Sequence, residues 1–116
     1  MNSPDDVLLV LTNLPDADSA GRVAHLLIEQ RLAACVNMLA PCTSVYRWQG
    51  AVETATEQPL LIKTTRAGYP ALQAALREAH PYELPEILAI PVQEGLPAYL
   101  AWVAAETAPG PEQPGP

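Results

Sequence analysis

Phenylalanine is absent from the sequence, and the aromatic residues are limited to two Trp and four Tyr, which make up 5% of the 116 residues. The apolar fraction is nevertheless 49%, so a core must be built mainly from alanine and branched aliphatic side chains. These side chains bury less apolar area than aromatic rings, and each contributes less free energy to folding. A chain of this length fits one domain that buries about two-thirds of its unfolded surface. We expect oligomerisation to supplement its stability.

Basic residues are also few. Six Lys and Arg stand against 13 Asp and Glu, which gives a formal net charge of −7. The six form no run, being Arg22, Arg31, Arg47, Lys63, Arg66 and Arg77. Recognition of nucleic-acid phosphates needs a concentrated basic patch, so we expect no nucleic-acid partner. An acidic surface instead favours solubility and mild attraction of cations.

Membrane and secretion signals are missing as well. No apolar run is long enough to cross a bilayer, and Asp5 and Asp6 stand where a secretory signal would place apolar residues. The two cysteines, Cys35 and Cys42, have the spacing of neither a redox CxxC pair nor a zinc-finger half-site. We therefore expect a reduced, cytoplasmic protein without a membrane partner.

The strongest local signals lie in Lys63–Val92. Pro70 suits the first turn of a helix, whose N–H groups lack intrahelical partners in any case. Pro81 disfavours a helical conformation for His80, so the helix ends there. An apolar face at three- and four-residue spacing is formed by Leu72, Ala75, Leu76 and Ala79. The apolar run Glu86–Ile90, closed by a proline, predicts a buried strand.

The rest of the chain predicts alternating strands and helices. The expected elements are a central strand at Val7–Leu11 covered on both faces, a helix near residues 18 to 31, an extended segment at Ala33–Val45 interrupted by Pro41, a polar hairpin strand at Ala51–Glu57 that ends at Pro59, a core segment at Leu60–Ile62, and a C-terminal helix beginning near Pro97. This order predicts an α+β, ferredoxin-like βαββαβ antiparallel sheet with both helices on one face and an extra C-terminal helix. We expect residues 1–107 to form a single domain and residues 108–116 to be a disordered Pro- and Gly-rich tail.

Five sequence motifs resemble one known family. The motifs are RLAACVN, YRWQG, KTTRAGYPAL, HPYELPEI and YLAWV, and they are similar to those of the CutA-type divalent-cation tolerance proteins over roughly residues 7 to 104. The resemblance implies a homotrimer on the same plan as the PII-type signalling proteins, with pockets between subunits. It also implies a non-enzymatic role in binding or responding to metal ions, with copper or another divalent cation as the ligand.

His80 and Cys35 are the candidate metal ligands. A neutral imidazole binds copper or zinc, and a thiolate suits copper(I). The resemblance implies a histidine pair and a first-strand cysteine in copper-associated members, and the matching positions here are Ala79 and Leu11. The structural alternatives are that His80 caps the preceding helix and that Cys35 is a small buried apolar side chain.

A second group of residues predicts a ligand cleft. Five polar or charged residues flank the HPYE motif: Lys63, Arg66, Tyr82, Glu83 and Glu86. They can line an intersubunit pocket for an anion or another small ligand, or they can form structural salt bridges. Tyr46 and Trp48 are expected at a subunit interface, because amphipathic aromatic residues concentrate there, although Trp48 can also act as a stacking platform.

Enzyme motifs are not found in the sequence. It contains no nucleophile elbow, no phosphate-binding glycine loop and no HExxH. The sequence therefore predicts a divalent-cation tolerance protein, and the alternative is a PII-like trimeric module that senses a small molecule or serves as a scaffold.

Overall fold

A computed structural model describes residues 2–107. The elements in chain order are β1 (Val7–Leu14), α1 (Ala17–Glu29), β2 (Cys35–Met38), β3 (Cys42–Trp48), β4 (Ala51–Thr65), α2 (Tyr69–Ala79), β5 (Leu88–Pro91) and α3 (Pro97–Glu106). The predicted mixture of helices with an antiparallel sheet is confirmed, and so is the additional C-terminal helix. The expected disordered tail, 108–116, lies outside the described residues. None of the helices in residues 2–107 is long and apolar enough to cross a membrane.

The sheet is organised around β4. On one side β4 pairs antiparallel with β1, from Val7 opposite Thr65 to Leu14 opposite Gln58, and β1 pairs in turn with β5. On the other side β4 pairs with β2 and then with β3. Because β1 ends opposite Gln58, the β3–β4 pairing beyond that point forms a two-stranded hairpin arm, residues 42–57.

The hairpin arm closes through a two-residue turn. Trp48 pairs with Ala51, and the two residues between them have positive φ angles, 50° at Gln49 and 83° at Gly50. Two positive φ angles are the signature of a type I′ turn, whose twist matches that of the flanking strands. Gly50 adopts this conformation without a steric penalty, because it has no Cβ.

The core lies between the sheet and helices α1 and α2. Alternate residues of β1 and β4 point toward the helices, because successive side chains of a strand face opposite sides of the sheet. The buried cluster consists of Val10, Leu14, Ala20, Val23, Leu27, Ala33, Leu60, Ile62, Leu72 and Leu76. Asp16 is the N-cap of helix α1, and its carboxylate accepts a hydrogen bond from the Ser19 N–H at 2.8 Å. The helix ends at Glu29, and Arg31, which was expected to continue its face, has a φ of 59°.

The opposite side of the sheet is only partly covered. Helix α3 lies there, with Val103 buried, but Leu88, Ile90 and Trp102 are 55%, 48% and 43% exposed. A strand does form in this region, but its predicted burial at Glu86–Ile90 was wrong, because β5 is an edge strand that α3 covers only in part within residues 2–107. The predicted burial of the first strand on both faces is likewise incomplete, since its residues alternate between buried and half-buried after Leu8.

The sequence predicted that a strand ends at Pro59, but β4 runs through this residue without interruption. The Pro59 carbonyl accepts a hydrogen bond from the Leu39 N–H at 3.0 Å, in the gap between β2 and β3. The reciprocal bond to the Leu39 carbonyl needs the N–H that proline lacks. The buried side-chain amide of Gln58 donates to that carbonyl instead, and also to the Pro59 carbonyl at 3.2 Å. This replacement allows a proline inside a central strand.

We predict that Gln58→Met lowers the free energy of unfolding by about 1 kcal/mol, because the Leu39 carbonyl loses its donor. In a Pro59→Ala background the backbone N–H is restored, so the same substitution should cost distinctly less. A double-mutant cycle of urea unfolding measures the coupling. Strictly additive effects of the two substitutions would show that Gln58 does not replace the missing N–H.

Candidate functional site

A cleft lies between the hairpin arm and the HPYE corner, which we define as His80–Glu83. Its volume is about 770 Å³, and its lining comes from the end of β1, the arm and the segment between α2 and β5. The lining residues are Asn13, Ser44, Val45, Tyr46, Trp48, Glu57, Pro81, Tyr82, Glu83, Leu84 and Glu86. The proline at 81 stops α2 and turns the chain across the end of β1, which brings the corner against the arm.

Tyr82 joins the HPYE corner to the arm. Its hydroxyl donates a hydrogen bond to the Glu57 carboxylate at 2.9 Å. Desolvation raises the pKa of Tyr82, and the hydrogen bond to Glu57 and the negative charge of that carboxylate raise it further. The phenol therefore stays neutral and keeps donating its hydrogen bond to Glu57. The Glu57 carboxylate is oriented toward the cleft by a partner that carries no positive charge.

His80 is buried, with 7% of its surface exposed, and it holds the corner to β1. Its Nε2 lies 2.8 Å from the Asn13 carbonyl oxygen. A carbonyl only accepts hydrogen bonds, so Nε2 carries the proton and Nδ1 is the acceptor. The Tyr82 N–H donates to Nδ1 at 3.3 Å. His80 thus occupies the C-cap position of α2, while its ring bonds to a strand instead of the last helical carbonyls.

Burial of the His80 ring favours the neutral imidazole. Burial lowers the pKa of His80, although the hydrogen bond to Asn13 and the negative charge of Glu57 oppose the shift. The ring also lies 4.8 Å from the Tyr82 ring, centroid to centroid. At neutral pH the side chain therefore acts as one donor and one acceptor between β1 and the corner.

Three carboxylates line the cleft, and no Lys or Arg is among the described residues that line it. Glu86 accepts a hydrogen bond from the side-chain amide of Asn13 at 3.2 Å, and Glu83 is exposed. Within residues 2–107, no three His, Cys, Asp or Glu side chains form a group that could hold a metal ion. The carboxylates are therefore gathered around one cleft but not around one point.

The structure brings together only part of the predicted ligand set. Tyr82, Glu83 and Glu86 line the cleft. Lys63 lies elsewhere, with its Nζ 5.8 Å from the centre of the Tyr99 ring. Arg66 lies beside Asp6, with its Nε 3.5 Å from a carboxylate oxygen. Within one chain Lys63 and Arg66 therefore do not join Glu83 and Glu86 in the lining of the cleft.

Cys35 lies far from His80 in the sheet. It is half-buried on β2 and pairs with Lys63, whereas the corner meets β4 at Glu57. Six residues of extended chain separate those two positions of β4, or about 20 Å. A single chain therefore does not place the two predicted metal ligands in one site.

The expected interface residues Tyr46 and Trp48 both line the cleft. Asn13 and Glu57 hold His80, Tyr82 and Glu86 in place, and neither residue was predicted from the sequence. Glu57 belongs to a run of alternating polar residues, and only the pairing of β3 with β4 directs it to this cleft. No local signal in the sequence distinguishes it from Glu53.

Comparison with known proteins gives consistent matches. Residues 8–106 match a family model described as CutA1 divalent ion tolerance protein. A relative from Thermus thermophilus, named divalent-cation tolerance protein CutA, is 44% identical over 85% of this chain and 96% of its own length. The mouse relative, Protein CutA, is longer, and the chain spans 56% of it at 41% identity.

Solved structures agree with these matches. The crystal structure of CutA from Xylella fastidiosa superposes with a TM-score of 0.86 at 45% identity, over 89% of this chain and 99% of that one. A structure from Archaeoglobus fulgidus, described as a periplasmic divalent cation tolerance protein, gives a TM-score of 0.85 at 32% identity, over 88% and 99% of the two chains.

We predict that His80 makes stability depend on pH below about 6.5. Because its pKa is lowered in the folded state from 6.5, the unfolded chain binds the proton first, and the free energy of unfolding falls as the pH falls through that range. The measurement is urea unfolding of wild type and His80→Gln between pH 7.5 and 5. Stability of the wild type should fall more steeply than that of the variant.

His25→Gln is the matched control, because it removes an exposed imidazole of α1. Its pH profile should follow that of the wild type. Parallel profiles for wild type and His80→Gln would contradict the assignment of a buried, neutral His80.

Proposed function

Because the chain belongs to the CutA1 divalent ion tolerance family, we propose that it is a non-enzymatic protein that binds or responds to divalent metal ions, with copper the first candidate. We place it in the cytoplasm, as a homotrimer built on a ferredoxin-like, PII-like plan. The observation that carries the metal proposal is the acidic cleft beside His80.

The charge of the cleft supports attraction of cations. Glu57, Glu83 and Glu86 face it, and none of the described lining residues is basic. A concave surface of one charge sign raises the local concentration of ions of the opposite sign. Carboxylate oxygens and an imidazole nitrogen are donors that divalent transition metals accept.

The orientation of His80 supports Nδ1 as the ligand atom. Its Nε2–H is held on the Asn13 carbonyl, and a second hydrogen bond of this type usually orients a metal-binding imidazole. The Tyr82 N–H, at 3.3 Å from Nδ1, makes the longer of the two bonds, and it must move aside for a metal ion to bind.

The described residues of one chain do not supply a complete set of donors. A single imidazole holds a metal ion weakly, so a tight site needs donors from a second subunit of the proposed trimer. Cys35 is half-exposed on an edge strand and can join His80 only in that way.

The alternative function is a PII-like sensing or scaffold module that binds a small molecule in the clefts between subunits. The cleft within one chain already supports a small ligand, because its volume of about 770 Å³ falls within the range of about 300–1,000 Å³ for small-molecule sites. Leu11 and Ala79, which match the positions of two expected copper ligands, favour it as well.

Copper titrations test the metal proposal. We expect saturable binding of copper(I) or copper(II) at a fixed ratio to subunits, measured against a competing chelator. His80→Gln should weaken it about tenfold or more, and Cys35→Ser should weaken copper(I) selectively. His25→Gln should leave it unchanged. Weak binding that is equal in wild type and His80→Gln would mean that copper meets only the acidic surface.

Assembly is tested separately through the two tryptophans. Trp48 lies on the hairpin arm, whereas Trp102 packs against Tyr99 of its own helix, 5.5 Å away between ring centres. If the arm makes the subunit contact, Trp48→Ala should shift the trimer toward monomers more than Trp102→Ala does. Light scattering over a dilution series gives the masses. Equal masses for both variants at every concentration would argue against an interface centred on Trp48.

A further inference from the structure

The cleft combines two features that a metal site does not need together. Three carboxylates line it, from Glu57, Glu83 and Glu86, and three aromatic rings line it as well, from Tyr46, Trp48 and Tyr82. The chain has six aromatic residues in all, so half of them lie around this one cleft.

The carboxylates come from two separate places in the chain. Glu57 belongs to β4, and Glu83 and Glu86 belong to the segment between α2 and β5. They are too dispersed to form a metal-holding group within the described residues. Divalent ions demand converging ligands at about 2.0–2.6 Å. A set of separated negative charges matches instead a molecule that carries several positive charges at a distance from one another.

Neutral donors hold two of these carboxylates in place. The Tyr82 hydroxyl donates to Glu57 at 2.9 Å, and the Asn13 amide donates to Glu86 at 3.2 Å. Both carboxylates are therefore oriented by groups that carry no positive charge. A basic partner would have neutralised them, and the described lining contains no Lys or Arg.

The aromatic rings of the cleft add attraction for organic ammonium groups. The face of an indole or phenol ring attracts ammonium groups, most strongly where water is excluded. Trp48 and Tyr82 are half-buried. The same rings pack against the methylene segments of an alkylamine, which a hydrated metal ion does not offer.

We propose that this cleft binds a flexible organic polycation, an aliphatic di- or polyamine whose ammonium groups pair with Glu57 and Glu86 while its methylenes pack on Trp48 and Tyr82. The inference rests on the small-ligand alternative given above and names its ligand class. It does not require copper to bind at His80.

The test uses the full-length protein with Trp102→Phe, which leaves Trp48 as the only tryptophan. Spermidine and putrescine are titrated while Trp48 fluorescence is recorded, and calorimetry gives the stoichiometry. We expect saturation at one amine per subunit, with spermidine the tighter ligand. Magnesium chloride and potassium chloride at matched ionic strength serve as comparison titrants and should not reproduce the fluorescence change.

Charge-matched variants locate the site. Glu57→Gln and Glu86→Gln should each weaken spermidine binding about fivefold, and Glu78→Gln, which removes the same charge from the exposed side of α2, should change it less than about twofold. Trp48→Leu, followed by calorimetry at concentrations where light scattering gives the wild-type mass, should weaken it about fivefold through loss of the ring. Circular dichroism of each variant checks that it is folded.

Three results would overturn the inference. Equal weakening by Glu78→Gln and Glu57→Gln, or the same fluorescence change with magnesium chloride, would show that the amine senses only the net charge. The absence of saturable amine binding would show that the cleft does not bind amines. The copper titration on the same proteins separates the two proposals. If copper binding is lost in His80→Gln and no amine binds, only the metal proposal stands. If an amine binds and no copper site is found, only the sensing-module proposal stands.

Discussion

The pairing of β1 with β4 is the contact on which the rest of the structure depends. It runs in continuous register from Val7 opposite Thr65 to Leu14 opposite Gln58. One side of this pair supplies the core beneath α1 and α2. Its end sets the position of Asn13, whose carbonyl and amide hold His80 and Glu86. The same end marks where β4 leaves β1 and continues into the hairpin arm, so the cleft exists because the two paired strands differ in length.

Local sequence signals were sufficient for the helices and for the HPYE corner. Pro70 and Pro81 bracket α2 almost to the residue, because proline fixes its own φ and lacks a donor wherever it stands. Pro59 was misread for the same reason. The effect of a proline on a strand depends on the segment paired with it. Opposite Pro59 lies the gap between β2 and β3, and the Gln58 side chain replaces the missing N–H. A compensating side chain of this kind is visible only once the pairing partner of the strand is known.

The lining of the candidate site could be predicted to the extent that its residues are neighbours in sequence. Tyr82, Glu83 and Glu86 lie within one motif and meet in one cleft. Glu57 and Asn13 reach it through strand register, and the same register places Lys63 and Cys35 away from it. Arg66 follows β4 and lies beside Asp6 instead. The exposure of Leu88 and Ile90 has a different origin. Their apolar character fits a surface that another layer covers, and within residues 2–107 helix α3 covers it only in part.

The two-residue turn at Gln49–Gly50 also bears on the order in which the chain folds. The two strands of the arm are neighbours in sequence, so their pairing closes a very short loop and costs little chain entropy. Pairing of β1 with β4 must close the loop from Leu14 to Gln58, which contains α1 and the arm itself. The arm is therefore suited to form early and to present β4 as a template, and β1 joins that template afterwards. A tight turn at the outer tip thus favours early registration of the strand on which the whole sheet is assembled.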